Sequence, residues 1–480
     1  MDTTEQKRSV LIVVTVTAFL TPFMSAAVNI ALPAIGNEFS MDAILLGWVA
    51  TSYLLAAAMF IVPFGRISDI YGRKRFFTYG MSIYILASLL TAVAPSSLFL
   101  IASRVLQGIA GAMVFGTGVA MLMSVFPAGE RGKALGITMA ATYLGLSIGP
   151  FLGGVLTQHL GWRSIFLVNV LLSLVVIALI FWKLKGEWAE AKGEQFDAIG
   201  SLIYCLMIAA IMYGFSQLPA LLGGWLILIG VVGIIAFVRR EMRVEHPVFN
   251  IRIFRKNRVF AFSNVAALVN YSASFAIAFL LSLYLQYLKG FSPETAGLIL
   301  MSQPVVMMIG SPLAGRLSDR IEPRVIASAG MAVMAVGISF FIFVAKQTPV
   351  GLIVADLIFL GFGYALFSSP NTNAVMSSVE KRFYGVASGT LGTMRLMGMM
   401  FSMGIAMMTF ALYIGNAPIT LSTYPLFLKG MRVAFIIFSL LCFGSVWASL
   451  VRGTVHDGVT LPHSLARPTR VAKVKIFERP

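Results

Sequence analysis

Apolar residues fall in long blocks, broken by short stretches rich in charge, glycine or proline. The blocks lie near residues 10–32, 45–64, 76–93, 98–126, 134–156, 164–182, 199–216 and 221–238, then 259–287, 296–313, 325–344, 351–369, 385–412 and 433–450. A helix of about 20 apolar residues is about 30 Å long, the thickness of a bilayer's hydrocarbon. The pattern therefore predicts an all-α membrane protein of about 14 transmembrane helices. The first block follows Lys7 and Arg8 and runs to Leu32, longer than the core of a signal peptide, so it reads as a retained first span.

Composition sharpens this picture. The chain is 58% hydrophobic and 11% charged, against about 25% charged in soluble domains, and the spans leave no length for a sizeable soluble domain. The net charge of +17 would suit a nucleic-acid binder, but the basic residues sit in short clusters between apolar blocks rather than along one face. No nucleic-acid partner is expected. With the N-terminus in the cytoplasm, Arg73-Lys74-Arg75, Arg131, Lys133, Lys183, Lys185, the stretch from Arg239 to Arg258, Arg316, Arg320, Arg324, Lys381, Arg382 and the tail all lie inside. The positive-inside rule favours that orientation, which puts both termini of a multi-pass inner-membrane protein in the cytoplasm. Cys205 and Cys442 lie in apolar runs, and the four histidines, 159, 246, 456 and 463, lie in loops or the tail. No metal site, ATP-binding loop or nucleophile–base pair is visible in the spans, so neither a cofactor nor an enzyme is expected.

Gly65-Arg66-Ile67-Ser68-Asp69-Ile70-Tyr71-Gly72-Arg73-Lys74-Arg75 follows the second block, and Gly315-Arg316-Leu317-Ser318-Asp319-Arg320 repeats its start after the tenth. Gly145 in the fifth block corresponds at a similar offset to Gly398 in the thirteenth. Duplicated halves mark secondary transporters, with the substrate site near midplane between them. The expected organisation is an N-terminal six-helix bundle at 1–185, an inserted helix pair with linkers at 186–245, a C-terminal six-helix bundle at 246–452 and a basic cytoplasmic tail at 453–480.

The first loop resembles the Gly-x-x-x-Asp-x-x-Gly-Arg-Lys/Arg loop of the major facilitator superfamily. Arg104-x-x-Gln107-Gly108-x-x-Gly111 is similar to its fourth-helix motif, and Gly145-x-x-x-Gly149-Pro150-x-x-Gly153-Gly154 to the fifth-helix motif of antiporters. Val28 to Pro33, Trp162-Arg163 and Arg395 resemble the fourteen-helix drug:proton antiporter branch. The resemblance implies two pseudo-symmetric bundles that rock about a central site, a monomer, and a loop of Gly65, Asp69, Gly72, Arg73 and Lys74 that latches one state of the cycle. That branch carries an Asp in the first helix, where this chain has Met24.

Charges inside a span cost about 2.5 to 3.5 kcal/mol on insertion scales and tend to be partnered and functional. Arg104, Asp356 and Arg395 are the candidates. Asp356, the one acid well inside an apolar run, becomes the proton-coupling candidate. Thr17, Thr21, Ser25 and Asn29 form a polar stripe on the first span. With Trp48, Gln107, Asn270 and Gln303 they are candidate cavity residues, and Tyr53, Tyr271 and Tyr284 are candidate aromatic walls. The methionines from Met394 to Met408 read chiefly as packing.

These residues suggest an exporter of amphipathic small molecules driven by proton exchange. Two alternatives stay open: an exporter of anionic or zwitterionic solutes without obligatory proton coupling, with Arg104 and Arg395 as counter-charges, and a membrane sensor or assembly factor that does not transport.

Overall fold

The computed structural model describes residues 3–451, apart from 128–129, 185, 246, 250, 319 and 381–382. The tail from Arg452, Asp319 of the repeated loop, Lys185, His246 and the pair Lys381 and Arg382 therefore lie outside the described residues. Every regular element described is helical: α1 (Thr3–Glu38), α2 (Ala43–Tyr71), α3 (Arg73–Ala92), α4 (Ser97–Val125), α5 (Arg131–Leu160), α6 (Arg163–Lys183), α7 (Ala198–Ser216), α8 (Leu221–Glu241), α9 (Arg252–Lys256), α10 (Arg258–Ser274), α11 (Ala276–Leu283), α12 (Pro293–Leu300), α13 (Ser302–Ser318), α14 (Pro323–Phe341), α15 (Val350–Ser377), α16 (Tyr384–Tyr413) and α17 (Tyr424–Val451).

Among the described residues, 13 helical segments are long and apolar enough to cross a membrane. The fourteenth expected span is α3, whose 20 residues open on Arg73-Lys74-Arg75 and pack along α4 and α6. Side-chain caps start several helices: Asp42 accepts from the Leu45 amide, Ser96 from Phe99, Asp197 from Gly200 and Asn257 from Phe260. Two spans expected as single helices are broken. In the ninth, the Ser402 hydroxyl takes the Ala276 amide at 2.9 Å, so the ladder parts between α10 and α11, and a π turn at Tyr284–Leu288 ends the span. The tenth parts at Met301 because Pro304 offers no N–H to the Leu300 carbonyl.

Packing repeats between the halves. In the first, α1 lies along α5, α2 along α4, and α3 along α4 and α6; in the second, α10 lies along α16, α13 along α15, and α14 along α15 and α17. A Cβ on Gly145 would meet the Phe19 carbonyl of α1, and one on Gly398 would meet the Leu268 carbonyl of α10. The repeated loops match as well: Ser68 Oγ donates to the Gly65 carbonyl and Ser318 Oγ to the Gly315 carbonyl, each at 2.7 Å. Helices α7 and α8 pack on each other and reach the rest through α7, against α2 and α16. Apolar side chains such as Phe181, Trp182, Leu221, Trp225 and Trp447 stand exposed around the perimeter, as a lipid-facing surface requires.

Candidate functional site

The two halves meet where α5 packs on α12 and α13, and α16 packs on α2. Between them lies a cavity of about 260 Å³. From α1, Thr21, Ser25 and Asn29 line it at four-residue spacing; Gln303 faces them from α13, and Tyr53, Phe115, Tyr143, Tyr271 and Tyr364 form aromatic walls. Thr17, the fourth member of the stripe, turns its hydroxyl to the Val13 carbonyl instead. Among the described residues, several polar ties join the halves at the end away from the N-terminus. Ser282 Oγ donates to the Asn29 carbonyl at 2.7 Å, Gln286 Nε2 to the Ile30 carbonyl at 2.9 Å and the Ala43 amide to the Ala417 carbonyl at 3.1 Å. His159 and Glu294 stand 3.1 Å apart at the same end. That end of the cavity is sealed.

Arg395 enters the cavity from α16. Its Nη2 donates to Thr372 Oγ1 at 2.6 Å, its Nη1 faces Met139 Sδ at 3.8 Å, and its guanidinium lies 5.7 Å from the Tyr271 ring centre. Tyr271 and Tyr364 meet edge to face at 5.6 Å, and the Tyr143 hydroxyl pairs with Ser368 Oγ at 2.7 Å across the two halves. Tyr143, Tyr364, Ser368 and Thr372 escaped the sequence reading. Their apolar neighbours make them look like packing residues, and only the position of Tyr143 two residues before Gly145 hinted at the site.

Other candidates fall elsewhere. Trp48 turns away from the cavity to pack on Tyr213 of α7, 6.3 Å between ring centres. Gln107 is fully buried inside the first half, accepting from Arg104 Nη1 at 2.5 Å and donating to Ser88 Oγ at 2.8 Å, which also accepts from Asn169. Asn270 points its amide at Met334 Sδ of α14, 3.3 Å away. Tyr284 donates to the Ala345 carbonyl at 2.7 Å. In each case helix periodicity named the polar residue but not the face that its neighbours claim. Arg104 is likewise structural in its contacts: Nε donates to the Val49 carbonyl at 3.1 Å, and the guanidinium stacks 4.7 Å from the Tyr53 ring. Of the methionines in α16, Met399 lines the cavity while Met400, Met403 and Met407 are buried in packing.

Asp356 stands apart from the cavity. It belongs to a crevice between α14 and α15 lined by Phe340, Phe343, Leu352 and Phe359, and neither carboxyl oxygen has a hydrogen-bond partner among the described residues. A Cβ on Gly337 of α14 would lie 3.2 Å from its Oδ1.

The loop motif is held by a strap that the sequence reading treated as a linker. Arg73, only 7% exposed in its side chain, pairs with Asp69 at 2.6 Å and with Glu190 at 2.7 Å, and donates to Ser124 Oγ. Glu187 accepts the amides of Lys74 and Arg75 at 2.7 and 3.1 Å, satisfying the open start of α3. Lys74 Nζ donates to the Leu184 carbonyl at 2.5 Å, and Arg66 pairs with Glu194. Gly72, with φ of 116°, sits where a Cβ would strike the Glu187 carboxyl. The hydrogen bonds from Arg73 hold the Glu190 carboxyl below its usual range, more than offsetting the burial that would raise it. Acids at 187, 190 and 194, spaced three and four apart beside a basic motif, were the available signal. The boundary expected at 185 thus falls at the start of a strap packed on the first half. Gly65 leaves open space beside it, with nothing within 4 Å of an added Cβ.

In α5, Gly149 and Gly153 continue the strip begun at Gly145: added Cβ atoms would lie 2.8 Å from Ala26 Cβ and 2.6 Å from Ala27 Cα of α1. Gly154 faces the other way, toward Pro293 and Glu294 of α12, and Gly297 of α12 faces Pro150. The motif therefore serves both the packing of α1 and the sealed seam between the halves. Pro150 also lines the cavity.

Comparison with known proteins agrees with this architecture. A family model described as Major Facilitator Superfamily matches residues 14–403 and 264–480. The chain is similar to the riboflavin transporter RibZ of Clostridioides difficile, 29% identical over 405 residues, covering 84% of this chain and 87% of that protein. It is similar to the multidrug resistance protein Stp of Mycobacterium tuberculosis, 32% identical over 379 residues, covering 77% and 70%. With the cephamycin export protein CmcT of Amycolatopsis lactamdurans it shares 31% identity over 402 residues, covering 81% and 82%. Duplicated halves, a cavity between them and a family match along nearly the whole length lead to one assignment: this multi-pass membrane chain belongs to the major facilitator superfamily, a family of transporters rather than enzymes.

Proposed function

We propose that the chain is an exporter of amphipathic small molecules, working as a monomer in the cell membrane with both termini in the cytoplasm. The observation that carries the reading is the cavity between the halves, mostly apolar with a few aimed polar groups, and sealed by inter-half ties at the end away from the N-terminus. In the proposed orientation the sealed end is the outer one, so substrate loads from the cytoplasm. Rocking of the halves would break those ties and expose the cavity outside. Glycine seams at Gly154 and Gly297 suit such a movement, because they keep the contact smooth. Relatives named for multidrug resistance and for cephamycin export support the outward direction.

Energy comes, in this proposal, from proton antiport through Asp356. Its carboxyl has no partner in the crevice, so an ionised form there is poorly stabilised. A parting of α14 from α15 that admits water would exchange the proton, tying protonation to helix movement. The loop of Gly65, Asp69, Gly72, Arg73 and Lys74, braced by Glu190 of the strap, would act as the latch of one state of the cycle.

The test is proton movement in proteoliposomes upon adding ethidium, N-phenylnaphthylamine and anilinonaphthalene sulfonate, comparing wild type with Asp356→Asn. Substrate-evoked proton flux, lost in the variant, is expected. Transport that continues without proton flux removes the coupling role of Asp356 and leaves export standing.

A further inference from the structure

The cavity holds one charge and no counter-charge. Among its described lining residues Arg395 alone is charged. A guanidinium carries five N–H donors, yet the good partner here is Thr372; Nη1 has only the Met139 sulfur at 3.8 Å, and the buried Nε has none. No described carboxylate forms an ion pair with it. Arg104 sits elsewhere, with its own partners inside the first half, and Asp356 opens into the crevice between α14 and α15. A cation kept in a span with a hydroxyl and the Tyr271 ring beside it, but no described counter-charge, is left open to an anion from outside the chain.

We propose that this cavity selects planar aromatic solutes bearing an acidic group, with Arg395 as the specificity-determining residue that takes the carboxylate, sulfonate or phosphate. The proposal rests on the exporter reading and adds the substrate class. A guanidinium presents two parallel N–H groups to such an anion, a geometry that an ammonium cannot copy. Tyr143, Tyr271, Tyr364 and Phe115 offer the flat apolar walls that a ring system needs. Thr21, Ser25, Asn29 and Gln303 remain to bind the solute's neutral polar groups.

Anilinonaphthalene sulfonate and N-phenylnaphthylamine share a skeleton and differ in the acidic group, so their affinity ratio isolates the charge. For the purified wild-type protein the sulfonate is expected to bind more tightly. In Arg395→Gln the ratio is expected to fall roughly tenfold or more, as for loss of a charge-assisted hydrogen bond, and Arg395→Lys should recover part of it. A ratio unchanged in Arg395→Gln, or a wild type that prefers ethidium or the neutral amine, overturns the proposal. If no probe binds, melting of the empty protein decides. A charge kept for a ligand predicts that Arg395→Met melts no lower than wild type, whereas a lower melting temperature shows Arg395 to be a tie between helices and overturns the proposal. Transport separates the two readings: ethidium carried with the sulfonate rejected sinks the selectivity and leaves export intact. Sulfonate preferred in binding but never moved across proteoliposomes supports the selectivity and sinks export.

Discussion

Arg104 and Arg395 look alike in the chain, each a lone arginine within an apolar run, and the structure gives them opposite surroundings. Arg104 has the Val49 carbonyl, Gln107 and the Tyr53 ring about it. Truncation to alanine would leave buried groups unsatisfied, at about 1 to 3 kcal/mol, so Arg104→Ala is expected to lower the melting temperature of the purified protein whether or not substrate is present. Glu190 offers a test by pH. Its carboxyl is held below the usual value of 4.5 by Arg73, so the stability it adds is present above pH 4.5 and is lost as pH falls through its lowered value. The difference in melting between wild type and Glu190→Gln should therefore persist at mildly acid pH and vanish only in stronger acid. A difference already gone at pH 4.5 would show that the pair is not formed.

At the scale of elements, α5 is where spacing became structure. Its glycines recur every four residues because α1 passes too close for any side chain, and a larger residue there overpacks the contact. Gly149→Val is expected to cost about 1 to 3 kcal/mol. Gly136→Ala on the same helix has nothing within 4 Å of its added Cβ and should be neutral or stabilising by up to about 1 kcal/mol. Thermal melts of the two variants in detergent check the contrast; equal effects would mean the strip is not a packing surface. The strap at 186–197 shows the opposite case. It has no helical periodicity to betray it, and its role follows from three carboxylates meeting a motif more than a hundred positions earlier in the chain.

Across the whole molecule, the ties at the end away from the N-terminus and the cavity behind them would, in the proposed cycle, define one of its two states. The Glu294 amide donates to Gln158 Oε1 at 3.3 Å across the seam. Cysteines placed by Gln158→Cys and Glu294→Cys, joined by a short cleavable thiol reagent, should hold this state: transport in proteoliposomes is expected to stop and to return on cleavage. Undiminished transport by the joined protein would mean that the seam does not open during the cycle.

Spans, duplication and family membership were legible in residue order because each depends on local composition. A bilayer demands long apolar blocks with their backbone bonds satisfied internally, and a repeated loop repeats its letters. Which face of a span meets which neighbour is a different kind of information. Thr21, Ser25, Asn29 and Gln303 reach the cavity while Trp48, Gln107 and Asn270 do not, since the partner helices that claim those faces are set by contacts between distant blocks. The same holds for Asp356, remote from Arg395 despite sharing its half, and for the acids of the strap. Local periodicity names the residues that are polar within the membrane; only tertiary packing decides which of them are left without a partner and so remain open to a ligand.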